Sequence, residues 1–440
     1  MSMPLASWFP FAGLPLFFEV LFSVAFLVIL VMMIWTTVLF LRGTRADREM
    51  SGIGAEENFE WIFMVPALNE EVTIRDSIDR LEQIELTRKR IVVINDGSDD
   101  GTAAILAGID NPELEVIERV APEARQGKAA ALNYAYHQLV GRFDLDPART
   151  IICIVDADGR ISPESPGYVA SHFEDEQVGG VQSLVRIYNR HGLLTWFQDV
   201  EFSIYGHLFQ VGRNRWGTPG MGGNGQYNRL AALASIDTSL EADPELRVAS
   251  RGPWRDRLTE DQDLGLRLLL AGWHSRQDNR ARVDQQGLSN LRRLFRQRTR
   301  WSQGNLQAMR LIGPIAKSDI YLPARIEQIV YLMMPVLQGI VGLSLAGAIY
   351  LALTGTDVIG GSIWWILFIY LLGFGGSLMG CLAARIDHKA DLSGVIKGIL
   401  SAQVYAFYSW LLWPVLIRSV GRQLIGMDSW AKTDREKIGK

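Results

Sequence analysis

The chain has few of the residues that build covalent or metal-clamped folds. Two cysteines, Cys153 and Cys381, and six histidines among 440 residues give no basis for a disulfide framework or a cysteine–histidine metal cluster. Positive charge is not in excess either. Lysine and arginine number 44 against 48 acidic side chains, a net charge of −4, which argues against a nucleic-acid partner. No internal repeat or low-complexity tract is present.

Charge is missing altogether from four stretches: Val20–Leu41, Ile329–Leu353, Ile363–Ala384 and Gly398–Ile417. About 20 apolar residues suffice to cross a bilayer as a helix. One such run could be a buried helix of a soluble protein, but four of them read as membrane helices. No lysine or arginine precedes the first run, and it exceeds a usual signal-peptide core, so it reads as a retained anchor. Arg42, Arg45 and Arg48 follow it at once. The positive-inside bias then predicts an outside N-terminus and a cytosolic polar region. Thr354–Ser362, without Lys or Arg, fits outside, and Arg385, Lys389 and Lys397 fit inside. A fourth full crossing would export Arg418, Arg422, Lys432, Arg435, Lys437 and Lys440 against the same rule; a re-entrant or interfacial run would remove the conflict. The expected location is the plasma (inner) membrane, multi-pass, with the large domain in the cytosol.

What lies between the apolar runs alternates strand and helix. "WIFMVPAL", "RIVVIND", "LEVIERV", "TIICIVDADG" and "VGGVQSLVRIYN" read as strands, with "EEVTIRDSIDRLEQI" and "GKAAALNYAYHQLV" as helices between them. This alternation predicts an α/β domain with a mostly parallel sheet covered on both faces. Ligands of such sheets bind beyond the C-terminal strand ends. There stand Asn69 and Glu70 after the first strand, Asp96 after the second, and Asp156 and Asp158 after the fourth. Any one of them is an ordinary turn residue. Acids at several strand ends would repel one another in one crevice unless a cation or hydrogen-bond donors lay between them. Asp156 and Asp158 match the carboxylates with which hard ions such as Mg²⁺ are held alongside substrate phosphates. "LTEDQDLGLRLLLAGW" crowds Glu260, Asp261 and Asp263 into the first turn of a helix. Helix-dipole stabilisation accounts for acids there, and Thr259 is a candidate cap.

In order along residues 65–301 the chain carries "VPALNEE", "VINDGSDDGT", "GKAAALN", "VDADG", "GGNGQYNRLAAL", "TEDQDLGLRL" and "QRTRW". With this ordered set it resembles the membrane-embedded family 2 glycosyltransferases, the group of the cellulose, chitin and hyaluronan synthases. The resemblance implies a Rossmann-like GT-A domain that takes a UDP-sugar and inverts its anomeric carbon. It implies that Asp96 holds uracil, that Ala67, Asn69 and Glu70 line the nucleotide pocket, and that Lys128 lies near the donor. Asp156 and Asp158 would occupy the D-x-D position, with Asp158 on Mg²⁺ or Mn²⁺. Asp261 would be the general base, with Glu260 positioning it or the acceptor. Gln297, Arg300 and Trp301 match Q-x-x-R-W, whose Arg meets the diphosphate and whose Trp lies under the acceptor sugar. Chemistry agrees: a hydroxyl nucleophile needs a carboxylate to take its proton, and a departing diphosphate needs positive charge.

Four segments follow: an anchor (1–50), the catalytic domain (51–287), interfacial helices with Q-x-x-R-W (288–328), and C-terminal membrane helices with a basic tail (329–440). Arg292, Arg293 and Arg296 are expected toward headgroups or solvent. "WFQDVEFSIYGHLFQVG" (196–212) reads as an amphipathic interface helix, with domain core as the alternative. Two features depart from the family pattern. Asn95–Asp96 stands where two aspartates are commoner, and "GGNGQ" carries Asn224 and Gln226 at a loop expected to line the acceptor site.

Two acceptors fit. Q-x-x-R-W favours a processive synthase of a β-linked polymer from UDP-glucose or UDP-N-acetylglucosamine. The short membrane region favours a glycolipid synthase acting on a diacylglycerol-like lipid, since a polymer needs a polar path, for which a homo-dimer would make room. Trp364, Trp365, Tyr405, Tyr408, Trp410 and Trp413 could line that path or form interfacial belts, the belts being preferred. A sugar-nucleotide sensor without turnover predicts a broken catalytic position, yet Asp158, Asp261 and Arg300 are all present.

Overall fold

The computed structural model describes residues 11, 13–49, 52–239, 251–356, 363–386, 391–411 and 413–427. It begins with α1 (Leu16–Glu49), an unbroken helix of 34 residues. At 1.5 Å per residue this is about 50 Å, more than a bilayer core, so the helix can both cross and protrude. Its protruding end meets protein. Arg42 stacks over the Trp216 ring at 3.9 Å and donates to the Gly212 carbonyl at 3.2 Å.

Then follow β1 (Glu60–Ala67), α2 (Ile74–Glu82), β2 (Lys89–Asn95), α3 (Thr102–Ala107), β3 (Leu114–Glu118), α4 (Lys128–Arg142) and β4 (Thr150–Ile154). The second half holds β5 (Arg160–Ile161), α5 (Ser165–Phe173), β6 (Val178–Ile187), α6 (Leu193–Ile204), β7 (Gln226–Arg229), α7 (Leu230–Ser235), α8 (Glu260–Leu270) and β8 (His274–Gln285). The strands form one sheet in the order β3-β2-β1-β4-β7-β6-β8-β5. From β3 to β4 it is parallel, as expected. Beyond that it is mixed: β7 runs antiparallel to both β4 and β6, and β5 antiparallel to β8. The sequence pattern passes over β7 because its four residues, Gln-Tyr-Asn-Arg, are all buried and three are polar, which leaves no alternation to read.

Two cores result from the pleat, since successive side chains of a strand face opposite ways. Trp61, Phe63 and Val65 of β1 pack with α2 and α5. Ile62 and Met64 pack on the other face with α4, α7 and the leucines Leu264 and Leu268 of α8.

The remainder is helical: α9 (Leu291–Ala308), α10 (Ile312–Lys317), α11 (Leu322–Leu332), α12 (Met334–Leu353), α13 (Ile363–Ile386), α14 (Leu392–Leu411) and α15 (Trp413–Leu424). Among the described residues three stretches, Leu16–Ala46, Met334–Leu353 and Leu392–Leu424, are long and apolar enough to cross a membrane. The fourth apolar run of the sequence is shared between α14 and α15. α15 lies along α9, with Ser419 Oγ 2.7 Å from Ser302 Oγ and Arg422 donating to Gln303 at 3.0 Å. Of the candidate aromatic belt, Tyr408 is buried and stacked on Phe197 at 4.7 Å, whereas Trp410 is exposed. The side chains of Arg48, Trp364 and Trp365, together with Lys389, Lys432, Arg435, Lys437 and Lys440, lie outside the described residues.

Candidate active site

The C-terminal ends of β1, β2 and β4 open onto a cavity of about 480 Å³ that α6, α8 and α9 also line. Ala67, Glu70, Asp96, Lys128, Asp156, Glu260, Asp261, Gln297, Arg300 and Trp301 all stand on its wall. Asn69 and Asp158 do not. Asn69 sits at φ 55°, a left-handed conformation that asparagine tolerates. Its amide is clasped to Asp99, donating to the carboxylate at 2.6 Å and accepting the Asp99 N–H at 2.9 Å. It therefore joins the loops after β1 and β2. Asp158 is 3% exposed, and its Oδ2 accepts the Gln286 N–H at 3.0 Å.

Asp96 is buried and ion-paired with Arg119. Burial raises its pKa, and the Arg119 charge pulls in the other direction. Lys128, on the first turn of α4, carries the local positive charge, 2.6 Å from Asp156 and 3.6 Å from Glu260. Burial would lower the pKa of its ammonium, but the carboxylates of Asp156, Glu260 and Asp261 outweigh it and the pKa is raised.

The acids of α8 divide into three roles. Glu260 faces Lys128. Asp263 is not held by the helix dipole alone: it is buried between Arg267, at 2.8 Å, and Arg310, at 2.5 Å, and so ties α8 to the segment after α9. Asp261 faces the cavity, with its Oδ1 accepting the Gln262 N–H at 2.8 Å. Burial, then the neighbouring Glu260 charge, push its pKa up to about 7 against the pull of Lys128. Thr259 does not cap the helix; its hydroxyl donates to Gln262 Oε1 at 3.2 Å.

The "GGNGQ" loop reaches this wall, with Gly222 lining the cavity. Gly223 has φ 80°, and a Cβ there would lie 2.8 Å from Asp261 Oδ2 and 3.5 Å from Lys128 Nζ. Asn224 is buried, accepts the Asp156 N–H at 3.1 Å and donates to Gln285 at 2.9 Å. Gln226 is fully buried and bonded to Asn228 at 2.9 Å. Asn224 and Gln226 stand behind the cavity wall, which the loop itself reaches through Gly222.

Asn290 starts α9 by accepting the N–H groups of Arg292 and Arg293 at 2.9 and 3.2 Å, an N-cap. The helix closes on the start of α8 at Gly304, where a Cβ would collide with the Thr259 side chain. Inside "QRTRW" the residue the sequence reading passed over is Arg298. It is buried, donates to Gln297 at 2.9 Å and to Glu201 of α6 at 2.6 Å, and stacks over Trp301 at 4.0 Å. Glu201, Tyr205, Tyr331 and Asn305 were likewise not singled out but line the cavity. A charged residue inside an apolar helix, Glu201 in "WFQDVEFSI", is a signal that could have found the first of these.

As for a divalent cation, no cluster of three or more metal-binding side chains occurs among the described residues. The donor chemistry nonetheless fits an ion shared with a substrate, because Mg²⁺ is commonly held by one or two carboxylates and completed by phosphates and water. Asp156 presents a carboxylate to the cavity, with Asp158 two residues behind it.

A family model described as "Glycosyltransferase like family 2" matches residues 60–304. The chain is 28% identical over 249 residues to a probable glycosyltransferase YdaM of Bacillus subtilis, covering 55% of this chain and 54% of the relative. It is 26% identical over 251 residues to a poly-β-1,6-N-acetyl-D-glucosamine synthase of Staphylococcus aureus, covering 56% of this chain and 55% of the relative. The chain thus matches about half the length of these curated relatives. Among solved structures it resembles a mannosyltransferase of Pyrobaculum calidifontis, described in complex with GDP-Man and Mn²⁺. That likeness has a TM-score of 0.56 at 17% identity, over 92% of this chain and 99% of the other. It speaks to the GT-A fold alone.

Proposed function

The chain belongs to glycosyltransferase family 2, and from that premise we propose that it transfers N-acetylglucosamine from UDP-N-acetylglucosamine to a growing β-linked polysaccharide. The reading is carried by one observation: a half-buried carboxylate with its pKa pushed up to about 7, Asp261, shares a cavity wall with Lys128, Asp156 and Arg300. A base is most effective when its pKa lies close to the working pH. The synthase relative from Staphylococcus aureus supports the choice of sugar and of polymer.

In this mechanism Asp96 holds the uracil, with Ala67 and Glu70 along the nucleotide. The acceptor hydroxyl approaches C1 from the face opposite the diphosphate, gives its proton to Asp261 as the new bond forms, and the configuration inverts. The UDP leaving group gathers negative charge, which the Arg300 guanidinium and the Lys128 ammonium offset. A divalent ion, Mg²⁺ or Mn²⁺, held by Asp156 and Asp158 would supply further neutralisation of that diphosphate. Trp301 offers a ring face to the acceptor sugar, and Glu260 keeps Lys128 and Asp261 in register.

The catalytic domain is assigned to the cytosolic face of the membrane. Because α15 lies on α9, its Arg418 and Arg422 share a side with Arg42 and the catalytic domain. This supports α14 and α15 as a re-entrant pair, in keeping with the positive-inside bias.

The test uses protein in lipid nanodiscs with Mg²⁺ or Mn²⁺ and radiolabelled UDP-N-acetylglucosamine. Label is expected in polymer that a β-1,6-hexosaminidase releases. Asp261→Asn is expected to abolish transfer while UDP binding persists. Label extracted into organic solvent would identify a glycolipid synthase and overturn the acceptor assignment; undiminished transfer by Asp261→Asn would overturn the base.

A further inference from the structure

We propose that Glu201, on α6, is a specificity-determining residue that recognises hydroxyl groups of the acceptor sugar. The inference rests on the glycosyltransferase reading above and names a residue of the acceptor half of its cavity.

Glu201 lines the cavity in company with Gln297 and Trp301, and its side chain is 25% exposed there. Its two oxygens differ. Oε2 is held from behind by Arg298 at 2.6 Å and by the Tyr408 hydroxyl at 3.1 Å. Both donors are deeply buried, Arg298 at 5% and Tyr408 at 1% exposure. Oε1 receives no hydrogen bond from the described residues, so the carboxylate is held in place through one oxygen while the other keeps its accepting capacity, in a residue that lines the cavity. Such a carboxylate can accept one or two hydroxyl protons.

The same guanidinium that fixes Glu201 also fixes its neighbours. Arg298 donates to Gln297 Oε1 at 2.9 Å and stacks on the Trp301 indole at 4.0 Å. One buried cation thereby sets the positions of a carboxylate, an amide and an aromatic face, the combination that binds the polar edge and the apolar face of a pyranose. The Arg298 charge compensates that of Glu201, which favours neutral hydroxyls over an ammonium group. An acyl chain would leave Oε1 facing hydrocarbon, a poor exchange for its hydration. The geometry therefore selects a sugar end over a lipid tail.

The experiment measures KM for a β-1,6-linked N-acetylglucosamine trisaccharide and, separately, for UDP-N-acetylglucosamine, using full-length protein in nanodiscs. Hydrogen bonds to a charged acceptor are stronger than those to a neutral one, so Glu201→Gln is expected to raise the trisaccharide KM about five- to tenfold without moving the donor KM. Glu201→Asp retains the charge for Arg298 but withdraws the oxygen by one methylene, and is expected to raise the same KM; it also serves if Glu201→Gln does not fold. Deoxygenating single hydroxyls of the terminal acceptor residue should weaken wild type at one position and leave Glu201→Gln indifferent there. A trisaccharide KM within twofold of wild type in both variants would overturn the proposal, as would a parallel rise in donor KM, the sign of a merely structural role. Wild type without transfer from UDP-N-acetylglucosamine would instead overturn the reading on which the proposal rests.

Discussion

One methyl group added at Gly223 should impair the base by displacing it, with Asp261 itself unchanged. The residue has φ 80°, and its new Cβ would stand 2.8 Å from Asp261 Oδ2, where ordinary contact begins at about 3.4 Å. Either the carboxylate or the loop must yield by about 0.6 Å. A misplacement of about 1 Å can cost about a hundredfold in rate, so Gly223→Ala should lower kcat about 10- to 30-fold while the donor KM changes little. Alanine also strains at positive φ, by about 1–2 kcal/mol. A control isolates that strain. Gly272, just past the end of α8, has φ 91° and nothing within 4 Å of its would-be Cβ. Gly272→Ala should lose similar stability and keep its kcat. Both variants would be compared by transfer from UDP-N-acetylglucosamine in nanodiscs and by thermal midpoint. Equal kcat in the two, at equal stability, would refute the argument that Gly223 sets the position of Asp261.

Two further outcomes follow from charges at the same wall. Asp261, raised to about 7, acts only when deprotonated, so transfer should climb with pH through about 7 and level off above it. The same shift has a stability consequence of opposite sense: the folded state holds this proton more tightly than the unfolded chain, whose Asp pKa is about 3.9. Its contribution is thus greatest below about pH 4 and declines as pH rises toward 7, a dependence that Asp261→Asn should remove from the thermal midpoint. A flat rate profile between pH 5.5 and 8.5 would sink the assignment. Asp263→Asn removes a carboxylate that pairs the buried Arg267 and weakens the tie to Arg310, which is one-third exposed. The expected loss is about 2–3 kcal/mol, read as a lower unfolding midpoint, whereas Arg310→Gln should cost less; no loss in Asp263→Asn would return that acid to a plain helix-start role.

What could be read in the sequence depended on how local its cause was. The strand ends were legible because an apolar run that stops at a polar residue is a one-dimensional signal: β1, β2 and β4 end just before Asn69, Asp96 and Asp156. Asp261 was legible for a similar reason, since its helix is acidic at the front and apolar behind. Roles set by partners far along the chain were not. Asp263 looked like a dipole residue because Arg310, 47 residues on, carries no mark of their pairing. Arg298 and Glu201 are 97 residues apart, and each alone reads as the polar side of an amphipathic helix. Only when α6 and α9 cross does that polar side prove to face a cavity instead of water. The aromatic candidates divide on the same principle: Tyr408 is drawn inward by the Glu201 carboxylate and the Phe197 ring, whereas Trp410, two residues later on the same helix, meets no such partner among the described residues and stays exposed. Periodicity can mark a helix as two-faced. What its polar face meets is decided by the element that packs there, and in this protein that element supplies a buried arginine.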